Sequence, residues 1–188
     1  MIQSKEDLKE YLSLDAARYD ASRIPLLIRM LIGDEEAHAI CFLKVLRLLE
    51  YRINTSNKMS GGFSGMILWF IHRRQRLKYG IHIAPNKVEA GLKIYHYAGG
   101  IYLNINKMGK NCSVTSGVVC GNKNNDNTLR PTIGDNVDLT VGCKIIGNIN
   151  IGDNVLVAPN SVVVKDIPNN TVVSGIPAVF LKNRPSAY

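Results

Sequence analysis

His96 lies in the segment YHYAGGIYLN and is the residue with the plainest chemical use. An imidazole titrates near pH ~6.5 and can take up a proton at neutral pH. A hydroxyl is a poor nucleophile until a base removes its proton, so an accessible histidine fits group transfer onto a hydroxyl. Gly99 and Gly100 beside it let a ligand or a second backbone approach closely. Tyr95, Tyr97 and Tyr102 add aromatic faces and hydroxyls nearby. Position alone leaves two readings open, a general base or a surface histidine on a corner. Lys165 can likewise meet a phosphate or be a solvated charge. His38, His72 and His82 read as structural or exposed.

The element that must position His96 is a repeat. Ile133, Leu139, Ile145, Ile151, Val157 and Val163 are apolar residues spaced six apart. That period matches neither the 3.6 of a helix nor the 2 of a strand. It predicts a coil with short sides, one inward apolar residue per side, and corners at which Asn and Gly tolerate positive φ. Stacking such coils buries a column that no single repeat can bury. Val88 and Ile94 extend the pattern backward, as do Met108, Val114 and Cys120. The two runs are out of phase by two residues, which places an irregularity at Gly99–Gly100. Residues 122–130, NKNNDNTLR, interrupt the period again and predict a polar loop pushed out from the wall.

Residues 1–78 differ. Leu26, Leu27, Met30 and Leu31 have helical spacing, and Leu43, Leu46, Leu49 and Ile53 continue it on a second helix. Met66 to Ile71 is an apolar stretch too short to span a bilayer, followed by basic residues at 72–78. Contact with an anionic membrane surface is conceivable for this segment, but capping of a core is the favoured reading. The chain of 188 residues carries a formal net charge of +8 without one long basic run or an RNA-binding motif, which argues against a nucleic-acid partner. The segment MIQSKEDLKEYLSLD is too polar for a signal peptide, and the four cysteines lack motif spacing, so a cytoplasmic chain with reduced thiols is expected.

The segments GLKIYHYAGGIYLN, GKNCSV, RPTIGDNV, CKIIGNINIGDNV and NSVVVKDIPNNTVVSGIPA resemble the hexapeptide-repeat acetyltransferases, nearest to the serine acetyltransferase branch and its members in bacterial polysaccharide gene clusters. The resemblance implies a mainly β fold with N-terminal helices: an α-helical region (1–78), a left-handed parallel β-helix (79–182) with the protruding loop 122–130, and a tail (183–188). It implies acetyl-CoA as acyl donor, no metal, and a homotrimer with sites between subunits, extendable to a hexamer. His96 aligns with the branch's catalytic histidine. Gly121, Val141, Gly142, Ala158, Pro159 and Lys165 fall at cofactor positions, with Lys182 and Arg184 as further candidates in the tail. Backbone N–H groups by the groove would stabilise the oxyanion.

Three positions depart from the branch. Ile81 replaces the carboxylate that orients the histidine, for which Glu89 or a backbone carbonyl is a substitute. Tyr95 replaces the carboxylate before the histidine, and Leu129–Arg130 replace an Arg-His pair. The expected function is therefore acetyl-CoA-dependent O-acetylation of a sugar hydroxyl in surface polysaccharide biosynthesis. His96 would be its base, with Tyr95, Tyr97 and Arg130 around a small-molecule or saccharide acceptor. A serine O-acetyltransferase of cysteine biosynthesis and a non-catalytic β-helix scaffold are the alternatives. A γ-type carbonic anhydrase needs three zinc-binding histidines, and residues 79–182 hold only His82 and His96.

Overall fold

The computed structural model describes residues 1–20, 23–56, 62–123, 126 and 128–185. Four helices come first: α1 (Lys5–Ala17), α2 (Leu26–Leu31), α3 (Glu35–Thr55) and α4 (Gly62–Tyr79). Ser4 and Asp7 form a capping box at the start of α1, and the Asp34 side chain accepts from Ala37 N at the start of α3.

The rest winds into coils. The first holds β1 (Ile81–Ile83), a bridge at Val88 and β2 (Lys93–Tyr95). The second holds β3 (Ile101–Leu103), β4 (Lys107–Met108) and β5 (Ser113–Thr115). The third holds β6 (Val119–Gly121), β7 (Thr132–Ile133) and β8 (Asp138–Leu139), with loop 122–130 between the first two. The fourth holds β9 (Lys144–Ile146), β10 (Asn150–Ile151) and β11 (Leu156–Val157). The fifth holds β12 (Val162–Val163), a bridge at Ile167 and β13 (Thr171–Gly175). The last strand, β14 (Ala178–Asn183), turns back antiparallel on β13.

Three sheets form the sides of a prism. Sheet I is β1-β3-β6-β9-β12, sheet II is β4-β7-β10, and sheet III is β2-β5-β8-β11-β13-β14. The six residues that define the period are all at most 2% exposed, and the coil core runs unbroken through them. The phase slip expected at Gly99–Gly100 is a 3-10 turn over Tyr97–Gly99. Loop 122–130 leaves the wall where the period lapses. Asn124, Asn125 and Asn127 lie outside the described residues. Cys112, Cys120 and Cys143 are free thiols buried in the repeat, where burial pushes Cys112 and Cys143 up to about 12.

The helices are fastened to the first coil through a buried arginine. Arg47 is 0% exposed. It donates to Asp15 at 2.8 Å, to Glu50 at 3.0 Å, and to the carbonyls of Val88 at 2.7 Å and Glu89 at 2.8 Å. Asp15 in turn accepts from the N–H groups of Gly91 and Leu92 at 2.7 and 3.2 Å. A buried charge is tolerated only when paired and hydrogen-bonded, and this one has both. Among the described residues, no helix is long and apolar enough to cross a membrane.

Candidate active site

His96 occupies the edge where sheet III passes to sheet I. Its backbone is left-handed, with φ 45° and ψ 56°. The other non-glycine residues with positive φ among those described are all asparagines: Asn86, Asn111, Asn136, Asn154, Asn160 and Asn170. A left-handed side-chain-bearing residue is strained, and such strain gathers at functional positions. The fold thus places a histidine where its other left-handed, side-chain-bearing corners use asparagine.

The carboxylate that holds this histidine comes from the helical region. His96 Nδ1 is 3.1 Å from Glu35 Oε2. Glu35 opens α3, where the helix dipole favours an acid. A carboxylate only accepts, so Nδ1 donates and Nε2 keeps its lone pair outward. Glu36, the next residue, accepts from Lys93 Nζ at 2.7 Å. Lys93 lies on β2, the strand that leads into His96. The helix start is therefore tied to the strand three residues before the histidine it supports.

This corrects one expectation from the sequence. Glu89 is not the substitute, because it accepts from the Tyr11 hydroxyl and pairs with Lys107 at 3.0 Å. Ile81 is fully buried in the core. Glu35 itself has no motif; only the acidic start of a helix at Asp34-Glu35-Glu36 marks it.

Tyr95 and Tyr97 flank the histidine differently. Tyr95 is 41% exposed, and its ring centroid lies 6.4 Å from that of His96. Tyr97 packs edge-on against Tyr79 at 5.5 Å, and burial holds its hydroxyl up to about 12. Tyr79 meets His38 Nδ1 at 3.0 Å. Tyr95 thus faces outward, and Tyr97 joins the corner to the helices.

Below His96 the same edge is nearly bare. Gly80, Gly100, Gly117 and Gly142 stack along it with φ of 68°, 79°, 75° and 72°. A Cβ on Gly117 would come within 3.3 Å of Gly142 Cα. Val141, Gly142, Ala158 and Pro159 all lie on this edge, two and three coils from His96. At ~4.8 Å per coil they extend to about 14 Å from it. Several of the edge's N–H groups are engaged within the coil. Gly99 N donates to Ser116 Oγ at 2.8 Å, Gly117 N to Gly100 O at 2.6 Å, Gly142 N to Ser116 O at 2.9 Å and Asn160 N to Val141 O at 2.9 Å. These four amides are therefore committed within the coil.

The remaining candidates are elsewhere. Gly121, Arg130 and Lys165 lie on the edge between sheets I and II, beside the protruding loop, so one chain does not bring them to His96. Lys165 is exposed. Arg184 is held by Asp138 and donates to Val155 O at 2.9 Å, so it fastens the end of β14 to the coil.

No family model matches the chain. Over 114 residues, 60% of the chain, it is 38% identical to the serine acetyltransferase of Staphylococcus epidermidis and covers 54% of that protein. Identity to the serine acetyltransferase of Staphylococcus aureus is 36% over 114 residues, 60% of the chain, covering 54% of that protein. The chain thus spans about half the length of the curated relatives it matches. Serine acetyltransferase of Neisseria gonorrhoeae superposes with a TM-score of 0.72 at 22% identity, over 98% of this chain and 70% of that one. The Brucella abortus enzyme gives 0.73 at 24% identity, over 95% and 70%. The coil is the left-handed β-helix of these structures, against the right hand of about 98% of parallel crossovers. In sequence over 114 residues and in fold over nearly its whole length, the chain resembles the serine acetyltransferase-like branch of the hexapeptide-repeat acetyltransferases.

Proposed function

We propose that this chain is an acetyl-CoA-dependent O-acetyltransferase with His96 as general base. The observation that carries the reading is the His96–Glu35 pair at the head of a glycine-rich edge. His96 Nε2 takes the proton from the acceptor hydroxyl as that oxygen bonds to the acyl carbon. Glu35 stabilises the imidazolium that results. The imidazolium returns the proton to the departing thiolate when the carbon–sulfur bond breaks. Ser116, whose hydroxyl accepts from Gly99 and retains its own proton, is the donor assigned to the oxyanion.

The bare edge fits an extended acyl-CoA arm, since Gly117 and Gly142 leave the backbone open to close approach. A serine acetyltransferase has been solved in complex with CoA, which supports the donor. The split of candidates over two edges suits a homotrimer, in which one prism offers the His96 edge and its neighbour the edge with Gly121, Arg130 and Lys165. The relatives' name favours serine over a sugar hydroxyl as acceptor. The sugar reading rests on the open face of Tyr95 and is the weaker of the two. Glu35 removes the main ground for a non-catalytic scaffold, the lack of a carboxylate for His96.

Calorimetric titration with CoA, followed by thiol release from acetyl-CoA with L-serine and with hexoses, tests the reading. Binding near one site per chain is expected, and His96→Ala should keep that binding while losing ~10²–10⁴-fold in turnover. Absence of CoA binding overturns it.

A further inference from the structure

A pocket of about 320 Å³ opens between α4 and sheet I, lined by Trp69, His72, Arg73, Arg76, Leu77 and His82. Its polar groups are incompletely partnered. His72 is 3% exposed, yet its Nε2 has no hydrogen-bond partner, and neither has the buried Nε of Arg76. Buried polar atoms are almost always satisfied, so such orphans point to a missing partner. Among the described residues, neither Arg73 nor Arg76 is in an ion pair with a carboxylate.

The arginines are posed rather than loose. Arg76 Nη2 lies 3.1 Å from His82 Nδ1, and Arg donates there because it has no lone pair. That leaves Nε2 of His82 as a donor. Arg73 lies over the Trp69 ring at 5.3 Å, and His82 stacks against Tyr102 at 5.6 Å. Burial first, and then the Arg76 charge, hold His72 at about 4 and His82 below its ordinary value, so the pocket's positive charge is that of the two arginines.

We propose that this pocket binds the anionic group, a phosphate or a carboxylate, of the acceptor. The inference rests on the acetyltransferase reading for the acceptor, and on two guanidinium groups without a carboxylate partner and the orphaned Nε of Arg76 for the anion. Arg76 and Arg73 supply charged donors, His82 a neutral one, and His72 Nε2 accepts from a ligand hydroxyl. Position agrees. Tyr102 lies two residues, about 7 Å, along β3 from the corner glycine Gly100. The Val141–Pro159 edge descends from the first coil, whereas the pocket is lined by His82 on β1 of that coil.

The test is calorimetric titration of the full chain with inorganic phosphate, a hexose 6-phosphate, the free hexose and L-serine. At least one anionic probe should bind, the free hexose should bind at least tenfold more weakly, and Arg76→Gln and Arg73→Gln should each cut anion affinity tenfold or more. Arg74→Gln, whose guanidinium lies over Phe70 outside the pocket, should change nothing. Competition by L-serine assigns the site to a carboxylate, and preference for the sugar phosphate assigns it to a phosphate. Failure of every anion to bind, or unchanged binding in both pocket variants, overturns the proposal. CoA titration of the same samples separates the two ideas: CoA binding without anion binding refutes the pocket alone, and anion binding without CoA refutes the acetyltransferase reading alone.

Discussion

Two edges of one prism use left-handed corners to opposite ends. Between sheets II and III, Asn111, Asn136, Asn154 and Asn170 stack in register. Beside them side chains close the backbone: Asp135 accepts from Lys110 N at 2.7 Å, Asp153 from Asp135 N at 2.8 Å and Asn169 from Asp153 N at 2.8 Å. Between sheets III and I the corners are mostly glycine, and the side chains of note are His96 and Asn160. The first edge fills itself and is finished. The second is left open along its length with one reactive group at its head. A repeat that solves the same backbone problem in two ways marks the side on which it works.

Breaking the contrast at its head has the largest expected effect. His96→Asn puts at that corner the residue the other edge prefers. Turnover should fall ~10²–10⁴-fold. The melting temperature should hold or rise, because a strained left-handed residue costs ~1–3 kcal/mol and asparagine tolerates the conformation better. A melt that collapses with activity would show that His96 serves the fold. Glu35→Gln keeps the contact but removes the charge that faces the imidazolium, and should lower kcat about tenfold with little change in KM. An unchanged kcat would leave Glu35 a bystander.

Smaller effects sharpen the comparison along the edges. Gly142→Ala forces a Cβ into a left-handed corner against Asn160, and should cost ~1–2 kcal/mol in denaturant melts and weaken CoA binding in the same sample. Asp153→Ala on the filled edge removes the acceptor of Asp135 N. It should cost ~1 kcal/mol and leave turnover untouched. If Asp153→Ala impaired CoA binding as much as Gly142→Ala, the two edges would not divide structure from function.

Much of this was legible in the sequence because the coil is periodic. Inward residues, the slip at Gly99–Gly100 and the exit of loop 122–130 all follow from counting sixes. His96 stood out by its imidazole and by the family resemblance, since position alone left a surface histidine equally open. Counting further would also have separated Gly121 and Lys165 from Val141 and Pro159, since the pairs follow inward residues of different sides. Glu35 was beyond reach, as it stands 61 residues from His96 and joins it through a helix whose start has no phase relation to the coil. The reversal of β14 was hidden for a similar reason, because an antiparallel return is not part of the repeat.

Arg47 and Asp15 grip the first coil by the carbonyls of Val88 and Glu89 and the amides of Gly91 and Leu92. At Arg47 and Asp15 the joint between helices and coil is thus written in main chain, and coil-side substitutions do not change the groups these two residues read. The helices that supply Glu35 and one wall of the anion pocket form a cassette on a generic socket. Such a module can be retuned or exchanged by evolution while the edge for the acyl donor stays as it is.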